Sequence, residues 1–517
     1  MKKGILIYPP NQLMDIETPR PDGSLGPLYL ASSLEKVGFE VDILDASVGG
    51  PEDSLKKTFY RNIKQSNGLT MIGMSFIEIA NYVKKNNYEF VGITSNFTPQ
   101  TNMALQTAKT IKETIPEIPI FSGGVNARAM INRFLESGAF DGICLSEGEL
   151  IFPRMINEFF LKKTLKNVPG VAYLEKNNAV VINPVDDSCF PKELDDLPMP
   201  SWEKLPFDKY EQISSPHGVS VHDRQGMRYA PLMTSRGCPF RCAYCHVSNE
   251  TRSSDITGPI GKLRFHSIER VLSEIDYLKS LNVQRLFIED DSLLANKERV
   301  KQLFLKIKDK NLSVANVNGV NLIHFYNRSK ENWAIDLEYL EIIKDGGFDQ
   351  IVFPVESGSQ RVLQKYATNK VFLNKMNLPI LMQKMTKIGI SAPVNMMIGF
   401  PDETEYEIYE SIELAKRLID HGAPYVTFFI PIPFPGSALH KIALDGGHID
   451  KNFDPDQMNW KRPVMKNTAV PPERLEFIRD SANADINSNL HLEKRLKQSM
   501  AGRWLSNESI PIIEQSN

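Results

Sequence analysis

At 517 residues the chain exceeds what one hydrophobic core supports, so two or three domains are expected. Hydrophobic residues make up 42% and charged residues 24%, the mix of an ordinary globular protein. Lys and Arg number 60 against 63 Asp and Glu, and a net charge of −3 excludes a molecule-wide basic field that would draw nucleic acid or anionic lipid.

The start, Met1 to Pro10, carries two lysines and a short apolar run, Gly4 to Tyr8, that ends in two prolines. That run is too short for a signal-peptide core. No stretch approaches the ~20 apolar residues of a membrane span. The expectation is a cytoplasmic protein whose thiols stay reduced. Its five cysteines then point to metal or catalysis rather than disulfides, and three of them fall within eight residues.

The first ~165 residues alternate strand-like and helix-like segments. Strands are predicted at Ile5 to Tyr8, Val41 to Leu44, Phe90 to Thr94, Pro119 to Ser122 and Asp141 to Leu145. Helices are predicted at Pro27 to Val37, Thr101 to Thr114, Ala129 to Glu136 and Glu149 to Leu161. This alternation implies an α/β doubly wound parallel sheet over residues 1–165. Residues 166–225 read as a linker, too rich in proline for a helix, with a small strand pair at Gly170 to Tyr173 and Ala179 to Ile182.

From Ala230 the alternation resumes. Strands at Pro231 to Thr234, Arg285 to Glu289, Ser313 to Val317, Gln350 to Val355, Pro393 to Ile398 and Tyr425 to Ile430 are separated by helices at 268–281, 297–308, 337–345, 378–387 and 405–418. Six such units predict a partial (β/α)6 TIM-type barrel over residues 226–440. Residues 441–517 form a small C-terminal region, helical around Pro472 to Leu490, with a tail beyond Asn507 expected to be disordered.

Residues 234–246 read Thr-Ser-Arg-Gly-Cys-Pro-Phe-Arg-Cys-Ala-Tyr-Cys-His, directly after a predicted strand. Three thiolates at Cys238, Cys242 and Cys245 can hold three corners of a [4Fe–4S] cluster and leave one iron open. A zinc site completed by His246 stays open as the alternative, since structural zinc takes four ligands. Cys144, on a predicted buried strand, and Cys189, in the linker, read as inert thiols.

This stretch resembles the signature of the radical S-adenosylmethionine (SAM) superfamily. In that family an aromatic residue flanks the adenine, which the resemblance carries to Tyr244. Glu289-Asp290-Asp291 ends the second barrel strand, where the family has a Gly-Gly-Glu-like motif near the SAM amino group; the glycines are absent here. Glu356-Ser357-Gly358-Ser359 resembles the ribose-contacting motif. Asn395 to Thr404, which includes Gly399, resembles the fifth-strand motif of the cobalamin-associated subgroup, and Pro431 to Gly436 resembles its sixth-strand loop. All lie at carboxyl ends of strands, where barrel active sites sit.

A doubly wound domain ahead of such a barrel resembles the cobalamin-binding domain of that subgroup. The implied contacts are the loops Thr94-Ser95-Asn96, Ser122-Gly123-Gly124-Val125 and Ser146-Glu147-Gly148-Glu149, at the sheet's switch point. A ligand-free flavodoxin-like domain is the alternative. Many cobalamin proteins supply a lower cobalt ligand from Asp-x-His-x-x-Gly. Here residues 1–216 contain no histidine, and the corresponding loop reads Asp45-Ala46-Ser47-Val48-Gly49-Gly50.

The resemblance implies a cobalamin-dependent radical SAM methyltransferase. A 5′-deoxyadenosyl radical would take hydrogen from an unactivated carbon of a small-molecule or natural-product substrate, and methylcobalamin would supply the methyl group. An electron donor such as flavodoxin or ferredoxin is implied, and no nucleic acid. Cyclisation or oxidation with the same cofactors is the alternative, and a corrinoid sensor or carrier is a further one. Substrate contacts are expected in about residues 436–500, where Trp460, Arg462, Met465 and Lys466 are candidates, with interdomain packing as the competing role.

Overall fold

The computed structural model describes residues 2–19, 24–213, 227–251, 254–316, 318–328 and 333–499. The expected disorder beyond Asn507, the end of the expected linker at 214–225, the first residue of the expected barrel at 226 and the expected strand end at Val317 lie outside these residues. The chain divides into two compact units: Met1–Val219 with Arg252–Ile260 and Glu493–Asn517, and Ser220–Thr251 with Gly261–Leu492.

The first unit is built on β1 (Lys3–Tyr8), α1 (Leu25–Lys36), β2 (Glu40–Asp45), α2 (Phe76–Lys85), β3 (Phe90–Thr94), α3 (Thr101–Thr114), β4 (Ile120–Gly123), α4 (Val125–Ala129), α5 (Ile131–Leu135), β5 (Gly142–Cys144) and α6 (Gly148–Lys162). The strands lie in the order β2-β1-β3-β4-β5 and are all parallel. Side chains alternate across each strand. Ile5, Ile7, Val91, Ile93, Ile120 and Ile143 face the buried side of α2 and α3, where Ile79, Val83, Ala104 and Ile111 pack. Leu6, Phe90, Phe121 and Cys144 face α1 and α6, through Ala31, Leu34, Phe152 and Met155. Apolar residues on both faces are what a doubly wound sheet requires.

Helix α2 was not among the expected elements, although Ser75 and Glu78 form a capping box at its start. The expected helix at Ala129 to Glu136 is two short helices that meet at Met130. The expected strand pair, β6 (Val171–Leu174) and β7 (Val180–Ile182), adds to the sheet edge antiparallel to β5. Proline does not keep helix out of residues 166–225: α7 (Phe207–Ile213) forms just after Pro206, as a proline before the first turn allows.

The second unit carries β8 (Tyr229–Leu232), α8 (Ile268–Ser280), β9 (Arg285–Ile288), α9 (Lys297–Ile307), β10 (Ser313–Asn316), α10 (Leu337–Asp345), β11 (Phe348–Ile351), β12 (Phe353–Glu356), α11 (Gln360–Tyr366), α12 (Leu378–Lys387), β13 (Val394–Met397), α13 (Glu405–Asp420), β14 (Val426–Phe429) and α14 (Pro472–Ile486). β11 and β12 are one strand interrupted at Val352. Six parallel strand positions therefore follow each other in chain order from β8 to β14. The buried pair Arg285–Asp349, 2.7 Å apart, ties the amino ends of β9 and β11. Edge strand β14 is closed by side chains that imitate a strand: Val426 N donates to Asn487 Oδ1 at 2.8 Å, and Asn487 Nδ2 donates to Val426 O at 2.9 Å. Among the described residues no helix is long and apolar enough to cross a membrane.

Candidate active site

The cysteine loop leaves the carboxyl end of β8 and is gripped along its stem. Asp290, wholly buried just beyond β9, accepts from Thr234 N (2.6 Å), Thr234 Oγ1 (2.7 Å) and Ser235 Oγ (2.5 Å). Asp291 Oδ2 accepts from Gly237 N at 3.0 Å. Arg299 on α9 donates to Thr234 O at 3.0 Å and to His266 O at 2.9 Å. Gly237 has φ +85°, and a Cβ there would stand 2.3 Å from Lys262 O, so only glycine fits this turn. Asp290 is thus a brace of the loop. Both of its carboxylate oxygens, expected near the SAM amino group, accept hydrogen bonds from the loop stem. The missing glycines have a physical counterpart, because side-chain carboxylates do work at this strand end that a Gly-Gly pair could not.

Further along, Arg241–Cys242 pairs antiparallel with Ala367–Thr368 just after α11, and Ala243 N donates to Tyr366 O at 2.7 Å. Cys242 is buried, while Cys238 and Cys245 are half-buried. Burial pushes all three thiols up, Cys245 to about 12, while Lys370 pulls Cys238 and Cys242 down. They therefore hold protons until a metal centre takes them as thiolates. Among the described residues no three of His, Cys, Asp and Glu converge on a single metal ion. His246 Nε2 instead faces Glu250 at 4.0 Å. Three thiols can each take one iron corner of a cluster, whereas a structural zinc takes four ligands and His246 faces Glu250.

The remaining expected SAM contacts cluster unevenly. Glu356 ends β12 with φ +70°, a left-handed conformation that L residues avoid, and its Oε1 is 2.5 Å from Lys370 Nζ, both side chains being buried. Tyr244 faces Cys242 and Glu356, and burial holds its hydroxyl protonated far above the ordinary range. Its ring packs 6.1 Å from Phe400. Glu289 follows β9 and precedes the bracing aspartates. Ser357 turns inward: its Oγ accepts from Ser359 N at 3.0 Å and lies 3.2 Å from Ser411 Oγ. Gly399 has φ +99°, and a Cβ would stand 2.2 Å from Leu475 Cδ2, so helix packing explains this glycine.

Glu403, within the Asn395 to Thr404 motif but not singled out there, holds the loop after β13. Its Oε2 accepts from Gly399 N (2.6 Å) and Phe400 N (3.0 Å), while buried Oε1 has no hydrogen-bond partner. Burial pushes the carboxyl up to about 8 against those two bonds. In the unfolded chain the acid ionises near 4.5, whereas the folded protein keeps the proton to about 8. Folded stability therefore falls as pH rises through that window, by up to about 1.4 kcal/mol per unit. Glu403→Gln keeps the acceptor and removes the ionisation. It should match the wild type near pH 5 and gain in thermal midpoint towards pH 8. Parallel midpoint-against-pH curves for the two proteins would rule this out.

Of the C-terminal candidates, Met465 is buried in a small core with Ile432, Ala443, Ile449 and Met458. Trp460 packs edge-on to Phe434 at 5.1 Å. Lys466 pairs with exposed Asp450 at 2.8 Å, and Arg462 N bonds Asn459 O. For Trp460 and Met465 the packing role holds within the second unit.

In the first unit the three expected loops follow the carboxyl ends of β3, β4 and β5, three neighbouring strands beside the switch point between β1 and β3. Thr94 ends β3. Ser95 N donates to Gly123 O at 2.9 Å, and Asn126 Nδ2 donates to Ser95 Oγ at 2.9 Å. Gly124 has φ +100°, and a Cβ would stand 2.4 Å from Asn96 Oδ1 and 2.5 Å from Ser95 O. Ser122 Oγ donates inward to Ile93 O at 2.8 Å. Glu147 precedes α6, and Gly148 opens it against Leu30. Ser146 Oγ is held by Thr257 O at 2.7 Å. Buried Asn126 Oδ1 has no protein partner. That orphaned acceptor and the glycine-lined loops fit a large polar-edged cofactor such as cobalamin. The Asp45 to Gly50 loop is filled by α7 instead: Tyr210 OH donates to Asp45 Oδ2 at 2.8 Å, and Lys209 Nζ donates to Val48 O (2.9 Å) and Gly50 O (2.5 Å).

Comparison with known proteins agrees with both halves of this description. Residues 232–415 match the model of the radical SAM superfamily, and residues 23–156 match that of the B12 binding domain. The chain is 29% identical over 405 residues to the uncharacterised methyltransferase PH0819 of Pyrococcus horikoshii, covering 76% of this chain and 77% of the other. It is 27% identical over 517 residues to the cytidylyl-2-hydroxyethylphosphonate methyltransferase of Streptomyces wedmorensis, covering 94% and 90%. Its fold is similar to that of the radical SAM methyltransferase TsrM of Kitasatospora setae, with a TM-score of 0.60 at 14% identity, over 88% of this chain and 79% of that one. The chain belongs to the radical SAM superfamily and carries a B12-binding domain ahead of the radical SAM domain. It is an enzyme of the cobalamin-dependent methyltransferase branch, and its cofactors are a [4Fe–4S] cluster, SAM and cobalamin.

Proposed function

We propose that this enzyme methylates an unactivated carbon of a small-molecule substrate by radical chemistry, with the cluster on Cys238, Cys242 and Cys245. The observation that carries the reading is the loop after β8, which carries three thiols within eight residues on a stem braced by Asp290, Asp291 and Arg299. When bound, the cluster and SAM supply a hydrogen-abstracting radical and cobalamin supplies the methyl group. The chain's own residues hold and orient. Asp290, Asp291 and Arg299 fix the loop stem. Tyr244, Glu289, Glu356 and the turns at Ser357 and Gly399 are the proposed surroundings of SAM. Thr94, Ser95, Ser122, Gly123, Gly124, Glu147 and Gly148 are the proposed surroundings of cobalamin.

The full-length likeness to an enzyme named for cytidylyl-2-hydroxyethylphosphonate supports a small-molecule acceptor. A cytoplasmic setting with a flavodoxin- or ferredoxin-type electron donor completes the reading. The test is anaerobic reconstitution with iron, sulfide, cobalamin and SAM, followed by mass spectrometry on candidate acceptors, with cytidylyl-2-hydroxyethylphosphonate as the first probe. The expected result is 5′-deoxyadenosine together with a product in which one hydrogen is replaced by a methyl group. Substrate consumed to a ring-closed or oxidised product without added carbon would overturn methyl transfer while leaving the cofactors in place.

A further inference from the structure

We propose that Lys370 is a positioning residue for the cluster, a built-in cation that sets how readily the cluster accepts its electron. The inference rests on the reading that Cys238, Cys242 and Cys245 hold that cluster. Lysine is seldom buried unless paired, and Lys370 is 9% exposed. Its Nζ is 2.5 Å from Glu356 Oε1, and Glu356 itself is 5% exposed. The backbone explains how the ammonium comes within electrostatic range of the thiols. Cys242 pairs with Ala367 across a two-residue antiparallel ladder, and Lys370 N closes a turn on Ala367 O at 3.1 Å. The turn brings the lysine back beside the strand that carries Cys242, and its charge acts on both Cys242 and Cys238. Glu356 meets it from the carboxyl end of β12 in a left-handed conformation. A residue is kept in that conformation only where its surroundings over-determine it.

A mere internal ion pair would not need to stand here. Buried pairs are weak evidence for stability, because desolvation opposes their attraction. Beside three thiolates the cation has another effect. A [4Fe–4S] centre with three thiolates carries one net negative charge when oxidised and two when reduced. Reduction adds one electron from an external low-potential donor and breaks no bond. A buried cation favours the more negative state, and low local dielectric enlarges that preference. Lys370 thus raises the cluster potential towards its donor. Glu356 anchors the ammonium and offsets part of its charge.

The experiment is a potentiometric titration of the reconstituted full-length protein without SAM, with dithionite as reductant and electron paramagnetic resonance of the reduced cluster as readout. Lys370→Gln should lower the reduced-to-oxidised ratio at fixed potential at least tenfold, a shift of about 59 mV for a one-electron couple. Glu356→Gln should move the potential the opposite way. Lys370→Arg should retain the wild-type value, and the Lys370→Gln/Glu356→Gln double variant should fall between the single variants. A structural pair alone would lower thermal stability in both single variants without this ordering. Iron at wild-type content with an unmoved potential in Lys370→Gln would overturn the inference, as would shifts of the same sign in both single variants. If Lys370→Gln loads no iron, Glu356→Gln and Lys370→Arg still decide it, because an unmoved potential in the former refutes the charge argument. A wild-type protein that binds no iron would instead overturn the cluster reading beneath it.

Discussion

Alanine at any one of Cys238, Cys242 or Cys245 is expected to abolish cluster binding and every trace of SAM cleavage while leaving the protein folded. The two halves of this expectation have separate causes. Each of the three thiolates holds its own corner, so losing one removes a corner; His246 is turned to Glu250, and Asp291 is engaged by Gly237 N. The fold, by contrast, does not hang on the sulfurs. The stem is held by Asp290, Asp291 and Arg299, and the distal part by the pairing of Arg241–Cys242 with Ala367–Thr368. Thermal stability should therefore change by no more than about 1 kcal/mol, an ordinary mutational effect. Cys144→Ala is the control. Its thiol is pushed up to about 12 by burial in the first unit's core, and the variant should keep full iron content. Iron assays, visible absorbance and 5′-deoxyadenosine formation read the outcome. Full iron and 5′-deoxyadenosine in any one of the three loop variants would sink the ligand assignment.

The parts of this fold that the sequence discloses are those with a local cause. Strands such as Ile5 to Tyr8 are apolar on both faces because helices cover both, and the helix at Thr101–Thr114 shows its buried residues at helical spacing. The cysteine loop is legible because its ligands are close in sequence. Helix α2 had a local signal too, a capping box at Ser75 and Glu78 followed by Ile79, Ala80 and Val83, and it could have been found. Other features depend on which strand ends meet. Asp290 sits in a motif position that suggests a cofactor contact, but the end of β8 lies beside it and takes its carboxylate. Lys370 looks like one surface lysine among many until the pairing of Cys242 with Ala367 brings its turn against the loop. Gly399 looks like a cofactor glycine, yet Leu475 from a helix far along the chain supplies the reason. Glu403 became visible only through its burial, which no periodicity records.

A corrinoid held by the first unit is expected to carry its dimethylbenzimidazole tail off the metal with no protein histidine in its place. Residues 1–216 contain no histidine, so none of them can reach cobalt as an imidazole. The loop from Asp45 to Gly50 is spent on Tyr210 and Lys209, which bond its carboxylate and carbonyls. The carboxyl ends of β3, β4 and β5 remain, where Gly123 and Gly124 keep the backbone bare and Asn126 Oδ1 lacks a partner. Held there, cobalamin would supply the methyl group of the proposed reaction. Electron paramagnetic resonance of the cob(II)alamin form should show no nitrogen superhyperfine splitting from an axial base; such splitting would refute the ligation claim. Gly124→Val provides the second arm. At φ +100°, with Ser95 O 2.5 Å from the new Cβ, the loops after β3 and β4 must part. Corrinoid binding should fall at least tenfold while the cluster in the other unit loads normally. Undiminished corrinoid affinity in that variant would place the cofactor elsewhere, and a wild-type protein that binds no corrinoid would remove methyl transfer from the proposed function.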